Sequence, residues 1–195
     1  MNFVEPIRDQ QTIRNIKELL RKEKRYRDLL LLTIGINTAL RISDLLTLKV
    51  GDFVDEAGII KQKFSLQEKK RGKRQEVIIN DSIRLILAEY FRIYPGLRDN
   101  PCYYLFFNTR TNAFDHPIQR CQAWNSMSTI CRSFGLEGNF GTHSLRKTWG
   151  YQARRRGVDI ALIMYKLNHA SLAYTQRYLG VTSDELAAVT RKLNL

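Results

Sequence analysis

The chain has 195 residues, with 32 Lys or Arg against 19 Asp or Glu, a formal net charge of +13 at pH 7, 44% hydrophobic residues and 26% charged ones. That composition excludes a disordered chain and is long enough to bury a core without disulfide staples. No apolar run approaches the roughly 20 residues of a membrane span, and the opening MNFVEPIRDQ has no apolar secretory stretch. The excess of positive charge attracts polyanions, nucleic acid first and anionic membrane surface second. Cys102, Cys121 and Cys131 form an odd set without CxxC spacing, which reads as free thiols of a reducing compartment.

In chain order, Ile13, Ile16 and Leu20 recur among charged residues and predict an amphipathic helix over about 10–24. Leu29 to Ile36 is apolar all round and predicts a buried central helix ending near Asn37–Leu40. A short helix is expected from about Ser43 to Leu48. The period then changes: Ile59, Ile60, Phe64 and Leu66, then Val77, Ile78 and Ile79, flank the turn Lys69-Lys70-Arg71-Gly72-Lys73-Arg74. This is a β-hairpin signal with a turn made almost wholly of cations. Asn80-Asp81-Ser82 caps a helix bearing Ile83, Ile86, Leu87, Tyr90 and Phe91. Pro95-Gly96 and Pro101 mark an irregular connection, and Leu105-Phe106-Phe107 reads as a third short strand. A helix over about 117–133 holds Trp124, Met127 and Cys131, and Gly135 to Gly141 is a loop. Beyond it, short helices are expected at about 144–156, 159–166, 171–178 and 183–193, the last capped by Ser183. No repeat, low-complexity tract or flexible linker interrupts the chain. The expectation is one domain over 1–195, mostly α with a small antiparallel β-sheet, an α+β fold.

Several stretches carry chemically capable groups. His143-Ser144-Leu145-Arg146 sets an imidazole and a guanidinium on one face of a helix start, where free N–H groups favour a phosphate. Leu167-Asn168-His169-Ala170-Ser171 opens another helix, and Tyr178 follows His169 by nine residues. Upstream, Arg41 lies between two apolar stretches, where a guanidinium needs a partner. Taken singly, each has a plain structural explanation. Arg41 pairs with Asp44, Tyr178 is one of nine tyrosines, the cationic hairpin is a solvated turn, and His116 is structural.

Taken together, ALRISDLLTL, THSLRKT and LNHASLAYTQRYLG, in this order and with this His-to-Tyr spacing, resemble the catalytic domain of the tyrosine recombinases, the phage integrase family. The resemblance spans roughly 10–180. It implies that Arg41 and Arg146 are the active-site arginines, His143 and His169 the histidines, and Tyr178 the nucleophile. The hairpin lysine of the family falls on Lys70, with Lys69 and Lys73 as neighbouring competitors, and Asp44 stands where the family has an acid beside the first arginine. Three departures are visible: Asn168 where glycine usually precedes the second histidine, Lys147 where histidine commonly follows Arg146, and Ile78 in place of a frequent proline. Because the motifs begin within the first forty residues, no counterpart of the family's separate N-terminal DNA-clamping domain is expected, and the resemblance is to a catalytic domain alone or to a short single-domain recombinase. Residues 179–195 are then expected as a C-terminal segment that either docks on a neighbouring protomer or folds back on its own core.

The resemblance also implies an activity: site-specific cutting and rejoining of double-stranded DNA through a 3′-phosphotyrosyl intermediate. Arg41 and Arg146 take the place of metal ions on the nonbridging oxygens, His169 donates to phosphate, His143 assists proton transfer at the tyrosine, and Lys70 protonates the leaving oxygen. No cofactor or metal is implied. Arg110, Arg120, Arg132, Arg154, Arg155 and Arg156 remain to track the duplex backbone. The expected working form is a homo-oligomer, a tetramer on DNA, in the cytoplasm at the nucleoid and without a membrane. Two other readings keep part of this picture: a type IB topoisomerase-like relaxation activity, and a non-catalytic DNA-binding accessory protein.

Overall fold

Helices shape both compact units of the chain, Met1–Trp149 and Gly150–Leu195, in a computed structural model that describes residues 4–70, 72–180 and 191. In the first unit, α1 (Gln10–Lys22) starts at Asp9, whose carboxylate accepts the Thr12 amide at 2.6 Å, and buries Ile16 and Leu20. The central helix α2 (Tyr26–Thr38) is buried over most of its length. Its one buried acid, Asp28, is clamped by Arg25 at 3.0 Å and Arg27 at 2.9 Å. It ends where Ala39 turns left-handed, with φ of 58°. There follow α3 (Ile42–Leu45) and α4 (Val50–Phe53). The second of these is unforeseen, being four residues long with Asp52 reaching back to the Lys49 amide at 2.8 Å.

The hairpin forms between β1 (Lys63–Gln67) and β2 (Arg74–Ile78), antiparallel from Lys63↔Ile78 to Gln67↔Arg74. Ile59 and Ile60 stay outside it, Ile60 bridging back to Val54. Asn80 caps α5 (Asp81–Ile93) as expected, accepting the Ile83 amide at 3.1 Å. The fold is mostly α with little antiparallel β-structure, as expected, and among the described residues the strands form two separate two-stranded ribbons. The second pairs β3 (Phe107–Asn108) with β4 (Ala113–Pro117). Leu105 and Phe106 are buried but tie their backbones to Leu48 and Ile118 instead of joining the strand. The β4 sequence AFDHP lacks the apolar alternation that marks a strand, so it was not legible. Then come α6 (Arg120–Ser133) and α7 (Thr142–Arg155).

Two glycines let α7 seat within the first unit. A Cβ on Gly35 of α2 would stand 2.6 Å from Leu145 Cδ1 and 2.9 Å from its Cβ. A side chain on Gly141 would collide with the Trp124 indole of α6. The N-terminal segment laces on as well: the Ile7 amide donates to Thr148 Oγ1 at 2.8 Å, and Lys147 Nζ donates to the Val4 carbonyl at 2.8 Å.

The second unit holds the end of α7 with α8 (Ile160–Lys166) and α9 (Leu172–Leu179), close to expectation. The helix expected over 183–193 falls, Arg191 apart, outside the described residues. Among the described residues no helix is long and apolar enough to cross a membrane.

Gly35→Ala tests the seating of α7. In an exposed helix this change stabilises by up to about 1 kcal/mol. Here the added methyl meets Leu145, and the expected result is a loss of about 1–3 kcal/mol in urea unfolding. A gain would mean that α2 and Leu145 are not in contact.

Candidate active site

Arg41 stands at the N-terminus of α3, immediately after the left-handed turn at Ala39. Its guanidinium is mostly buried and meets a carboxylate, but not the one expected. Arg41 Nη1 lies 2.7 Å from Glu68 Oε2, at the end of the hairpin's first strand. Glu68 is 2% exposed. Asp44, the expected partner, instead accepts the Lys69 amide on Oδ1 at 3.1 Å. The correction has a simple cause: Arg41 and Asp44 lie in one tight turn, where Asp44's own amide bonds the Arg41 carbonyl, and the hairpin brings a second acid to the arginine.

The two residues of the HxxR pair sit in the first turns of α7. Ser144 pins that helix start, its hydroxyl accepting the Gly141 amide at 3.1 Å. Arg146 is 5% exposed, and its Nη1 donates to the Ala39 carbonyl at 2.6 Å. One guanidinium thus fastens directly to the turn that presents the other. His143 remains open to solvent on the same face. Its pKa is lowered below the ordinary 6.5, first by partial desolvation, then by the charges of Arg146, Arg120, Arg41 and Lys70. At neutral pH its ring is mainly the neutral imidazole, able to accept a proton. The charges of Arg41, Lys70, Arg120 and Arg146 thus all act on the His143 ring. Lys70 itself is exposed at the hairpin tip.

The second unit brings His169 and Tyr178 together. Helix α8 closes in a Schellman arrangement: the His169 amide donates to the Met164 carbonyl at 3.1 Å and the Asn168 amide to Tyr165 at 3.0 Å. Asn168 takes the left-handed position, φ 47°. That accounts for the first departure, since asparagine tolerates this conformation almost as glycine does. Ser171 then caps α9 by accepting the Tyr174 amide at 3.2 Å. The imidazole meets Tyr178 edge-on, centroids 4.8 Å apart, and Tyr174 in the same way at 4.8 Å.

Thr175 orients the ring. Its buried hydroxyl donates to the Ser171 carbonyl at 3.1 Å and lies 3.1 Å from His169 Nδ1.

The remaining sequence candidates divide by exposure. Arg110, Arg120, Arg132, Arg155 and Arg156 are exposed and Arg154 half-buried. Exposed His116 pairs with Asp115 at 3.0 Å. Lys147, the second departure, turns to the N-terminal segment rather than to His143. Ile78, the third, is exposed at the end of β2. Among the described residues no group of three or more His, Cys, Asp or Glu stands ready to hold a metal ion. Glu68 and Thr175 are the residues that sequence reasoning missed. Glu68 left one trace, as the acid that opens the cationic run Glu68–Arg74. Thr175 left none.

Known proteins resemble this chain in sequence and in fold. The chain is 38% identical over 189 residues to the probable integrase/recombinase YoeC of Bacillus subtilis, covering 96% of both chains. It is 28% identical to the tyrosine recombinase XerA of Pyrococcus furiosus, covering 95% of this chain and 61% of that protein. The fold is shared with a crystal structure of XerA recombinase, at a TM-score of 0.73 and 22% identity over 98% of this chain and 66% of that one. It is also shared with XerH site-specific recombinase bound to its difH substrate, at a TM-score of 0.71 and 21% identity over 99% of this chain and 54% of that one. The phage integrase family model matches residues 7–185, a span that contains both constellations, and the chain belongs to that family.

Proposed function

We propose that this protein is a site-specific DNA recombinase or integrase that cuts and rejoins strands through a 3′-phosphotyrosyl intermediate, without a metal ion. The observation that carries this reading is the pair of oriented guanidinium groups, Arg146 pinned to the Ala39 carbonyl and Arg41 braced by Glu68. Phosphoryl transfer concentrates charge on nonbridging oxygens, and fixed guanidinium forks neutralise it without reorganising. Tyr178 Oη bonds to phosphorus as the bond to the 5′-oxygen breaks. Its phenol, with an ordinary pKa of about 10, gives its proton to neutral His143. Lys70 protonates the leaving 5′-oxygen, and His169 donates a hydrogen bond to the phosphate. Attack by a DNA 5′-hydroxyl reverses every step, so the diester's energy is conserved in the tyrosyl ester.

Support for DNA as the substrate comes from charge and kinship. The +13 net charge favours a polyanion, and structures sharing the fold include XerH on difH and a lambda integrase dimer on its core site. Exchange between two duplexes ends four strands, each on its own tyrosine, so the working form is a tetramer. The free cysteines and a DNA substrate fit a cytoplasmic, nucleoid-associated protein.

A nicked suicide duplex bearing the crossover sequence tests the reading. In EDTA the wild type traps a covalent adduct and Tyr178→Phe traps none. An adduct that survives the substitution refutes the nucleophile. The pH dependence follows from His143: adduct formation is level near neutral pH and falls as acid protonates the imidazole. Its midpoint lies below the ordinary 6.5 because burial and four cations disfavour the charged ring. In His143→Gln this acid limb disappears from the slower reaction. An acid limb with its midpoint above 6.5 would contradict the assignment.

A further inference from the structure

Two buried acids near Arg41 have no part in the proton transfers just described, and both touch the hairpin. Glu68 Oε2 meets Arg41 Nη1 at 2.7 Å. One residue further on, the Lys69 amide donates to Asp44 Oδ1 at 3.1 Å. Glu68 and Asp44 are 2% and 1% exposed. Burying carboxylates is costly, and leucine would fill such space more cheaply if packing were the only demand. Arg41 and Asp44 belong to a single turn, closed by the Asp44 amide on the Arg41 carbonyl at 2.9 Å. The hairpin end is closed too, by the Glu68 amide on Lys73 O at 2.9 Å and the Gly72 amide on Glu68 O at 2.8 Å. Lys70 follows directly after the two pins.

We propose that Glu68 and Asp44 are positioning residues that clamp the cationic hairpin to the Arg41 turn and thereby deliver Lys70 to the leaving oxygen. This rests on the recombinase reading above, with Lys70 as its general acid. A lysine on a free hairpin loses orientational entropy each time it donates; the clamp pays that cost during folding. It also makes Arg41 and Lys70 move as one body, so that the guanidinium and the acid engage the same phosphodiester together.

The test compares two nicked duplexes, one with the natural 5′-oxygen at the scissile bond and one with a bridging 5′-sulfur. A thiol has a pKa of about 8.5, far below an alcohol's, and a thiolate leaves without a proton donor. On the oxygen substrate, Glu68→Gln is expected to slow adduct formation about 10- to 100-fold with duplex binding unchanged. On the sulfur substrate most of that loss is expected to be recovered, leaving only the part that Glu68 contributes through Arg41. Asp44→Leu gives the same pattern and serves where Glu68→Gln does not fold. Amide hydrogen exchange over residues 66–75 of the free protein should quicken in both variants. Equal losses on both substrates, as from a merely structural ion pair, overturn the proposal, as does an unchanged rate on oxygen. Lys70→Ala is the control for the underlying reading. If its own loss persists on sulfur, Lys70 is not the acid, and hydrogen exchange alone then decides the clamp: unchanged protection overturns it.

Discussion

A guanidinium taken out of water must be answered by fixed oxygen atoms, and here that demand organises the first unit. Arg146 is buried on α7, and a carbonyl freed where α2 breaks at Ala39 accepts from it at 2.6 Å. Leaving such a charge unanswered would cost several kcal/mol. The left-handed turn at Ala39 therefore has two consequences. It ends the central helix, and it aims a lone backbone oxygen at the arginine of a helix more than a hundred residues away. Arg41 emerges two residues later and is answered in turn by Glu68. Helix, turn and hairpin are thus joined through charged groups, while the apolar contact of Leu145 on Gly35 sets the depth at which α7 sits.

The electrostatics that follow are lopsided by design. Five positive or potentially positive groups, Arg41, Lys70, Arg120, His143 and Arg146, share a field in which His143 is held largely neutral. Glu68 braces Arg41 from the hairpin side, and Asp44 accepts a backbone amide. In the second unit the logic is one of orientation rather than charge. A Schellman closure fixes the backbone of His169, Thr175 fixes its ring, and two tyrosines one turn apart meet its edge.

Much of this was legible in the sequence because the signals were local. The helix caps at Asn80 and Ser171, the apolar run of α2 and the cationic hairpin each declare themselves within a few residues. The order of motifs singles out Arg41, His143, Arg146, His169 and Tyr178 through the family resemblance. What escaped was long-range or too short to show a period. Helix α4 is only four residues and β4 has no alternation. The Arg41 partner was misjudged because the nearer acid, Asp44, is three residues away in sequence but turned elsewhere, whereas Glu68 arrives through hairpin geometry. Asn168 and Lys147 looked like departures from a pattern. Their backbone angle and hydrogen bond show them meeting local structural needs.

The central claim is that Arg41 and Arg146 act by neutralising the nonbridging oxygens of a scissile phosphate. The most direct measurement replaces one of those oxygens with methyl, giving a neutral methylphosphonate, and compares adduct formation by wild type, Arg41→Ala and Arg146→Ala on both substrates. On phosphate each variant should lose about 100-fold or more. On methylphosphonate, where there is less charge to stabilise, the deficit should shrink by at least about tenfold. The same deficit on the charged and the neutral substrate would contradict the account.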